Sequence, residues 1–280
     1  MKFRDYTEII FEVGEILSVQ MLEETYRYPR EFLNLTYKNY CNGILSGLDF
    51  VCRDDGVYLT SGIVKFDGRY FILPQDINID DWLKKNKLLN GVEYYLCIVI
   101  NESDEKGCGI KIRHQAELKA TRDKINNSII LAKYKHRSDI GISLPKLKMN
   151  DSENPFEDFF SSGLLQLLEC EYSHQQGETT YHPLVFKAMQ SYLEKKFPLS
   201  PYDFSLLTEL QNHILIAMSS LRTYISVNKK NFLSSENMTR EKLFREVTEC
   251  IKIPYTLPVY SDVSEEQDDS KKIKRHSKLI

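Results

Sequence analysis

Residues 41–74, CNGILSGLDFVCRDDGVYLTSGIVKFDGRYFILP, decide the fold of the N-terminal half. Val57, Leu59, Ile63, Val64, Phe66, Tyr70 and Ile72 supply the β-branched and aromatic side chains that suit a half-buried pleated surface. Asp54-Asp55-Gly56 and Asp67-Gly68 supply residues that tolerate the positive φ of tight reversals. The stretch reads as two or three short strands following a helix. Nothing in it is arranged for chemistry, so the sequence speaks to shape and partners.

Upstream, residues 15–40 carry Ile16, Met21, Leu22, Tyr26, Phe32, Leu33, Tyr37 and Tyr40 at loose helical spacing. Proline lacks an N–H for the helical ladder, so two helical pieces are expected around Tyr28-Pro29. Downstream, a short helix is expected from Asp80 to Lys87. Glu93–Ile100 is a nearly continuous apolar run, the pattern of a strand buried on both faces. Ile110–His114 alternates and Ile129–Tyr134 is strand-like. Six or seven short strands with connections too brief for crossover helices imply an antiparallel β-sandwich or partial barrel.

Residues 137–155 follow neither period, which sets a domain boundary near residue 145. Beyond it the pattern becomes helical. Asn154-Pro155 and Ser200-Pro201 are helix starts, with a capping side chain, proline in the first turn, and acids near the positive end of the dipole. Leu207, Leu210, Ile214, Ala217, Leu221 and Tyr224 come next at alternating steps of three and four. That spacing predicts one long helix over 201–227, roughly 40 Å at about 1.5 Å per residue. Helical spacing also falls at 156–170, 183–197 and 240–252, so a four-helix bundle is expected. Its seam serves either the chain's own core or a contact between subunits. The expected organisation is α+β: a β-sandwich-like shell or attachment domain with N-terminal helices over 1–145, a helical bundle over 146–258, and a disordered charged tail over 259–280. The tail's basic run Lys271-Lys272-Ile273-Lys274-Arg275 could act as a tether.

Composition narrows the function. The 280 residues are 42% hydrophobic and 28% charged, with a formal net charge of −3. That balance argues against a dedicated nucleic-acid binder, the basic 111–137 stretch being the one place that would serve. No run of about 18 apolar residues and no signal-peptide pattern is present in the sequence, so a cytoplasmic protein without membrane insertion is expected. Six scattered cysteines form no CxxC pair and read as free thiols. His174 and His182, with Cys170 and Glu171 nearby, match no common zinc spacing and read as solvated loop histidines. No nucleotide-loop or nucleophile-elbow motif occurs. No catalytic, cofactor or metal residue is assigned, and the chain is read as a non-enzyme.

Leu17-Ser18-Val19-Gln20-Met21-Leu22-Glu23, then Gly43–Leu48, then Leu59–Arg69, and finally Asn127–Lys133, resemble in their order the N-terminal regions of phage-tail and contractile-injection proteins. The order is closest to TssK-type baseplate adaptors of type VI secretion and to attachment domains of phage receptor-binding proteins. The resemblance spans roughly the first 140 residues. It implies a structural baseplate or adaptor component acting through protein–protein interfaces with other baseplate or tail subunits, and a homo-oligomer, in that family a trimer. Interface candidates are Gln20, Met21, Tyr26, Tyr28 and Phe32 from the N-terminal helices and Leu207, Leu210, Ile214 and Leu221 from the helical seam. The alternative is a receptor- or carbohydrate-binding tail-tip protein, with sandwich tyrosines stacking on sugar rings.

Overall fold

The computed structural model describes residues 18–107, 109–137, 142–145, 156–161, 164–229 and 238–255. The architecture is α+β, with open sheets in the first part and helices mostly in the second. Strands β1 (Gly43–Gly47), β4 (Gly62–Phe66) and β5 (Arg69–Leu73) join β10 (Tyr172–Ser173) and β11 (Thr179–Thr180) in a sheet ordered β11-β10-β1-β4-β5. A second sheet holds β2 (Phe50–Arg53), β3 (Gly56–Leu59) and β6 (Ile77–Asn78). The third is ordered β8-β7-β9, from β7 (Glu93–Gly107), β8 (Gly109–Thr121) and β9 (Ser128–Lys135). No sheet closes into a barrel among the described residues. The strand pairings are antiparallel except for β1 with β10, where Ile44 lies opposite Tyr172.

The expected two-sided strand is present. Leu96 through Ile100 are all buried, and Leu96, Ile98 and Ile100 share a core with Ile129 and Leu131 of β9 and with Ile44, Leu48, Leu59 and Val64. Crossing β1 over β4 requires glycine: at Gly47, with φ +65°, a Cβ would meet Ser61 O at 2.0 Å. Helix α1 (Val19–Thr36) differs from expectation by running unbroken through Pro29. Proline removes the N–H that would bond Thr25 O and crowds that carbonyl, at about 3 kcal/mol in a helix interior, yet the helix continues; its start is capped by Ser18, whose Oγ accepts from Met21 N. The short helix near residue 80 is α2 (Ile79–Lys85), capped by Asn78.

The helical half comprises α3 (Pro183–Lys195), α4 (Pro201–Asn212), α5 (Met218–Asn228) and α6 (Arg240–Lys252). Residues 157–160 and 167–169 form two 3-10 turns in place of the helix expected over 156–170. The Asn154-Pro155 helix start and the charged tail lie outside the described residues. At Ser200 the expected cap is a full capping box with Asp203. Asp203 is buried and gathers three neighbours: Lys196 Nζ at 2.7 Å, the Tyr224 hydroxyl at 2.6 Å, and Ser200 N. Burial pushes its carboxyl up, but these donors together outweigh that and hold it below the usual range. Lys196 also donates to Ile251 O, so this one group ties α3, α4, α5 and α6 together.

The long helix expected over 201–227 is two helices. His213 is already extended, and α5 restarts at Met218. The cause comes from the β10–β11 turn: Glu178 Oε1 accepts from both the backbone N–H and the hydroxyl of Ser219, in the first turn of α5, while Thr180 Oγ1 donates to Ile216 O. A carboxylate on the free N–H groups of a first turn fixes a helix start there. Leu207, Leu210, Ala217, Leu221 and Tyr224 stay on one buried seam, but the break turns Ile214 outward, 78% exposed.

Residues 164–180 stitch the halves together. Leu165, Leu167, Cys170 and Tyr172 pack in the β core, beyond the expected boundary near residue 145, whereas Leu168 and Tyr181 pack in the helical core. Arg240, at the start of α6, reaches across this segment. It donates to Leu168 O (2.8 Å), Cys170 O (2.6 Å), Thr180 O and Thr179 Oγ1, with its guanidinium 5.0 Å from the centre of the Tyr181 ring. Removing it leaves several carbonyls without their donor. Arg240→Ala is therefore expected to destabilise the fold by about 3 kcal/mol in urea unfolding, with Arg240→Lys recovering part of the loss.

Candidate functional site

The feature the fold leaves unexplained is helix α1. Its C-terminal end is fastened to the body. The Tyr70 hydroxyl donates to Leu33 O, and the buried Lys65 ammonium donates to the carbonyls of Tyr37 and Tyr40 at 2.7 Å each. Tyr37 is the C-cap of α1 and Tyr40 lies just past it, so the cation sits at the negative end of the helix dipole. The rings of Tyr37 and Tyr70, 6.1 Å apart, complete the anchor.

Elsewhere on α1 several large side chains are exposed to solvent. Val19 (73%), Tyr26 (74%), Leu35 (75%), Phe32 (58%) and Tyr28 (53%) are exposed, as is Leu22. At about 100° per residue, the apolar positions divide into two seams. One is Val19, Leu22, Tyr26, Pro29 and Leu33; the other, about 120° around the helix, is Met21, Thr25, Tyr28, Phe32 and Leu35. Together they cover about 200° of the circumference, and Glu23, Arg27, Arg30, Glu31 and Asn34 fill the remaining arc. A surface helix ordinarily shows one apolar stripe, turned to its own core. Here both stripes carry exposed side chains, Val19, Leu22 and Tyr26 on one and Tyr28, Phe32 and Leu35 on the other, while Leu33 and Met21 are half-buried.

Of the residues singled out in the sequence, Tyr26, Tyr28 and Phe32 lie together on this helix and are exposed, while Met21 is half-buried. The side chain of Gln20 lies outside the described residues. Leu207, Leu210 and Leu221 sit in the chain's own core, and Ile214 is separate, beside a groove of about 320 Å³ between α3 and the end of α4. Val19, Leu22 and Leu35 are not among the interface candidates read from the sequence. The signal that would have found them is the alternating three-and-four spacing of Val19, Leu22, Tyr26, Pro29 and Leu33, which two separate helical pieces would obscure.

The sheet tyrosines do not form an open stacking cleft among the described residues. Tyr94, Tyr134 and Tyr172 are buried. Tyr58 is covered by Arg53, 4.4 Å from its ring centre, and donates its hydroxyl to Asp55. Tyr95 lies beneath Lys124. His174 and His182 are buried, contrary to the expectation of solvated loop histidines: His182 packs edge-on against the Tyr172 ring, and the turn carrying His174 is held to α5 by Ser219, whose hydroxyl donates to Gln176 and Glu178. His182 caps α3, its Nδ1 accepting from Leu184 N at 3.0 Å. Its Nε2 points toward Asp49 Oδ1, 3.4 Å away, without meeting hydrogen-bond geometry. Asp49 accepts from the Tyr172 hydroxyl at 2.6 Å. Among the described residues, no group of three or more His, Cys, Asp or Glu could hold a metal ion, and Cys41, Cys52, Cys97, Cys170 and Cys250 are free thiols. Among the described residues no helix is long and apolar enough to cross a membrane.

No protein-family model matches the chain, and no curated protein matches it in sequence. Among solved structures it is similar to a crystal structure of TssK, with a TM-score of 0.36 and 11% identity, over 88% of this chain and 71% of that one. It is also similar to a chain of the baseplate complex from the type VI secretion system, with a TM-score of 0.29 and 9% identity, over 89% of this chain and 100% of that one. Both are distant structural likenesses.

Burial gives His182 a pH signature. Desolvation pushes its imidazole down to about 3, so the folded state keeps it neutral where the unfolded chain, near 6.5, takes up a proton. Its contribution to stability is complete above pH 6.5 and is lost as pH falls toward 3. Asp49, whose carboxyl burial pushes up, acts in the opposite sense at the acid end. Thermal unfolding is expected to show a loss of up to about 2 kcal/mol between pH 7 and pH 5. His182→Asn, which retains a capping side chain, should flatten that decline.

Proposed function

We propose that this chain is a non-enzymatic structural subunit of a baseplate-type assembly in a contractile injection or phage-tail-like machine. It works in the cytoplasm and joins other baseplate or tail subunits, and copies of itself, through protein surfaces. The observation that carries the reading is the exposed double seam of α1. Large aromatic and aliphatic side chains exposed on a helix gain free energy when a neighbour covers them, at roughly 25 cal/mol per Å² of apolar surface. Tyr, Phe and Met are also the residue types enriched at interface centres. The ordered resemblance of residues 17–23, 43–48, 59–69 and 127–133 to contractile-injection proteins supplies the kind of assembly.

In this reading the Tyr28, Phe32 and Leu35 seam seats against a neighbouring subunit of a different kind, and the β half serves as the platform from which α1 projects. The test is made in the source cells. Contractile particles are purified with the wild-type chain or with Phe32→Asp in its place, and the chain is quantified by mass spectrometry in the particle and free fractions. The wild type is expected to co-purify with baseplates. Phe32→Asp, folded by circular dichroism, is expected in the free fraction, reduced at least tenfold on particles. A wild-type chain absent from the particles would overturn the proposal.

A further inference from the structure

The geometry points to a second and separate use of α1: its Val19–Leu22–Tyr26 seam pairs antiparallel, across a two-fold axis, with the same helix of a second copy of this chain. This pairing is independent of the machine to which the subunit belongs. Along the flank of the seam, Val19, Leu22 and Tyr26 border a polar strip of Glu23, Arg27, Arg30, Glu31 and Asn34, in which Glu23 and Arg30 lie nearest the seam. Glu23 and Arg30 are seven residues apart, two turns along one flank, and opposite in charge. Neither carries an ion pair among the described residues, whereas Arg27 and Glu31, further round the polar arc, pair with each other at 3.1 Å.

This arrangement selects both the partner and its direction. When two such helices pack antiparallel, the same flank of each faces the other, so Glu23 of one copy lies across from Arg30 of its partner, and Arg30 from the partner's Glu23. Both pairs form at once, as an isologous contact requires. Packed parallel, that flank would face the opposite one, where Thr25 and Thr36 offer no charge. The axis passes beside Tyr26 and brings the two Tyr26 rings together at the centre of the contact.

The strength of the contact is set by its size. An 18-residue helix is about 27 Å long and roughly 10 Å wide, so one face offers a few hundred Å², below the roughly 800 Å² per partner of a standard stable interface. The dimer should therefore be weak and concentration-dependent, and leave the Phe32 seam free.

Sedimentation velocity of the full chain, from about 10 µM to 1 mM at low salt, tests this. The wild type is expected to shift from one chain to two within that range, Tyr26→Asp to remain at one chain, and Phe32→Asp to dimerise like the wild type. Glu23→Arg and Arg30→Glu, each of which sets like charges opposite, should each weaken the dimer by about threefold to tenfold. The Glu23→Arg, Arg30→Glu double variant should recover it, because the swapped charges again face their opposites. A wild type that stays at one chain up to 1 mM, a Tyr26→Asp chain that dimerises unchanged, or a double variant no better than the single ones would overturn the inference. Loss of the dimer in Phe32→Asp would do so too, by assigning the contact to the other seam. Particle association of the Phe32→Asp chain is scored separately, so failure here is distinguishable from failure of the baseplate reading.

Discussion

The reach of Arg240 across residues 168–180 is the interaction on which the rest of the structure depends. Those residues belong to both halves. Tyr172 extends the sheet beside Ile44, and a few residues later Tyr181 packs in the helical core. A segment shared in this way has carbonyls that neither sheet nor helix fully uses, and one guanidinium with five donors answers several of them at once. The cation also lies against the Tyr181 ring, so its charge is balanced by aromatic π-density as well as by carbonyl dipoles. Seam and clamp are thus one local solution to joining a β platform to a helical block.

The same segment reorganises the helices downstream of it. Glu178 and Thr180 stop α4 from continuing into α5 by offering the backbone near residues 216–219 better partners than the next helical turn. The four helices then close around Asp203, a buried carboxylate whose desolvation is offset by Lys196, Tyr224 and Ser200. The seam leucines are thereby committed to the chain's own interior, and the apolar surface left for others is on α1.

Local chemistry was readable wherever its cause is local. The strand at residues 94–100 follows from an unbroken apolar run, and the start of α4 follows from Ser200, Pro201 and Asp203 within four residues. Features caused by distant residues were not readable. The break after Asn212 is imposed by side chains about 35 to 40 residues upstream, and the parallel pairing of β10 with β1 joins positions 128 apart. The continuity of α1 through Pro29 is a third case: breaker chemistry, about 3 kcal/mol in a helix interior, argues against it, and the helix continues all the same. Of the candidate surface, the aromatic residues stood out by type. The aliphatic ones, Val19, Leu22 and Leu35, become significant once their exposure on one unbroken helix is seen.

Lys65 gives α1 a mechanical character. Among the described residues, α1 is held near its C-terminal end by Tyr70 at Leu33 O and by Lys65 at the carbonyls of Tyr37 and Tyr40, like a pointer set in a socket. Over about 27 Å, a tilt of about 10° at the socket displaces the tip by about 5 Å, roughly one helical turn. Small adjustments among β4, β5 and the ammonium between them are therefore magnified at the far end, where register with a neighbour is decided.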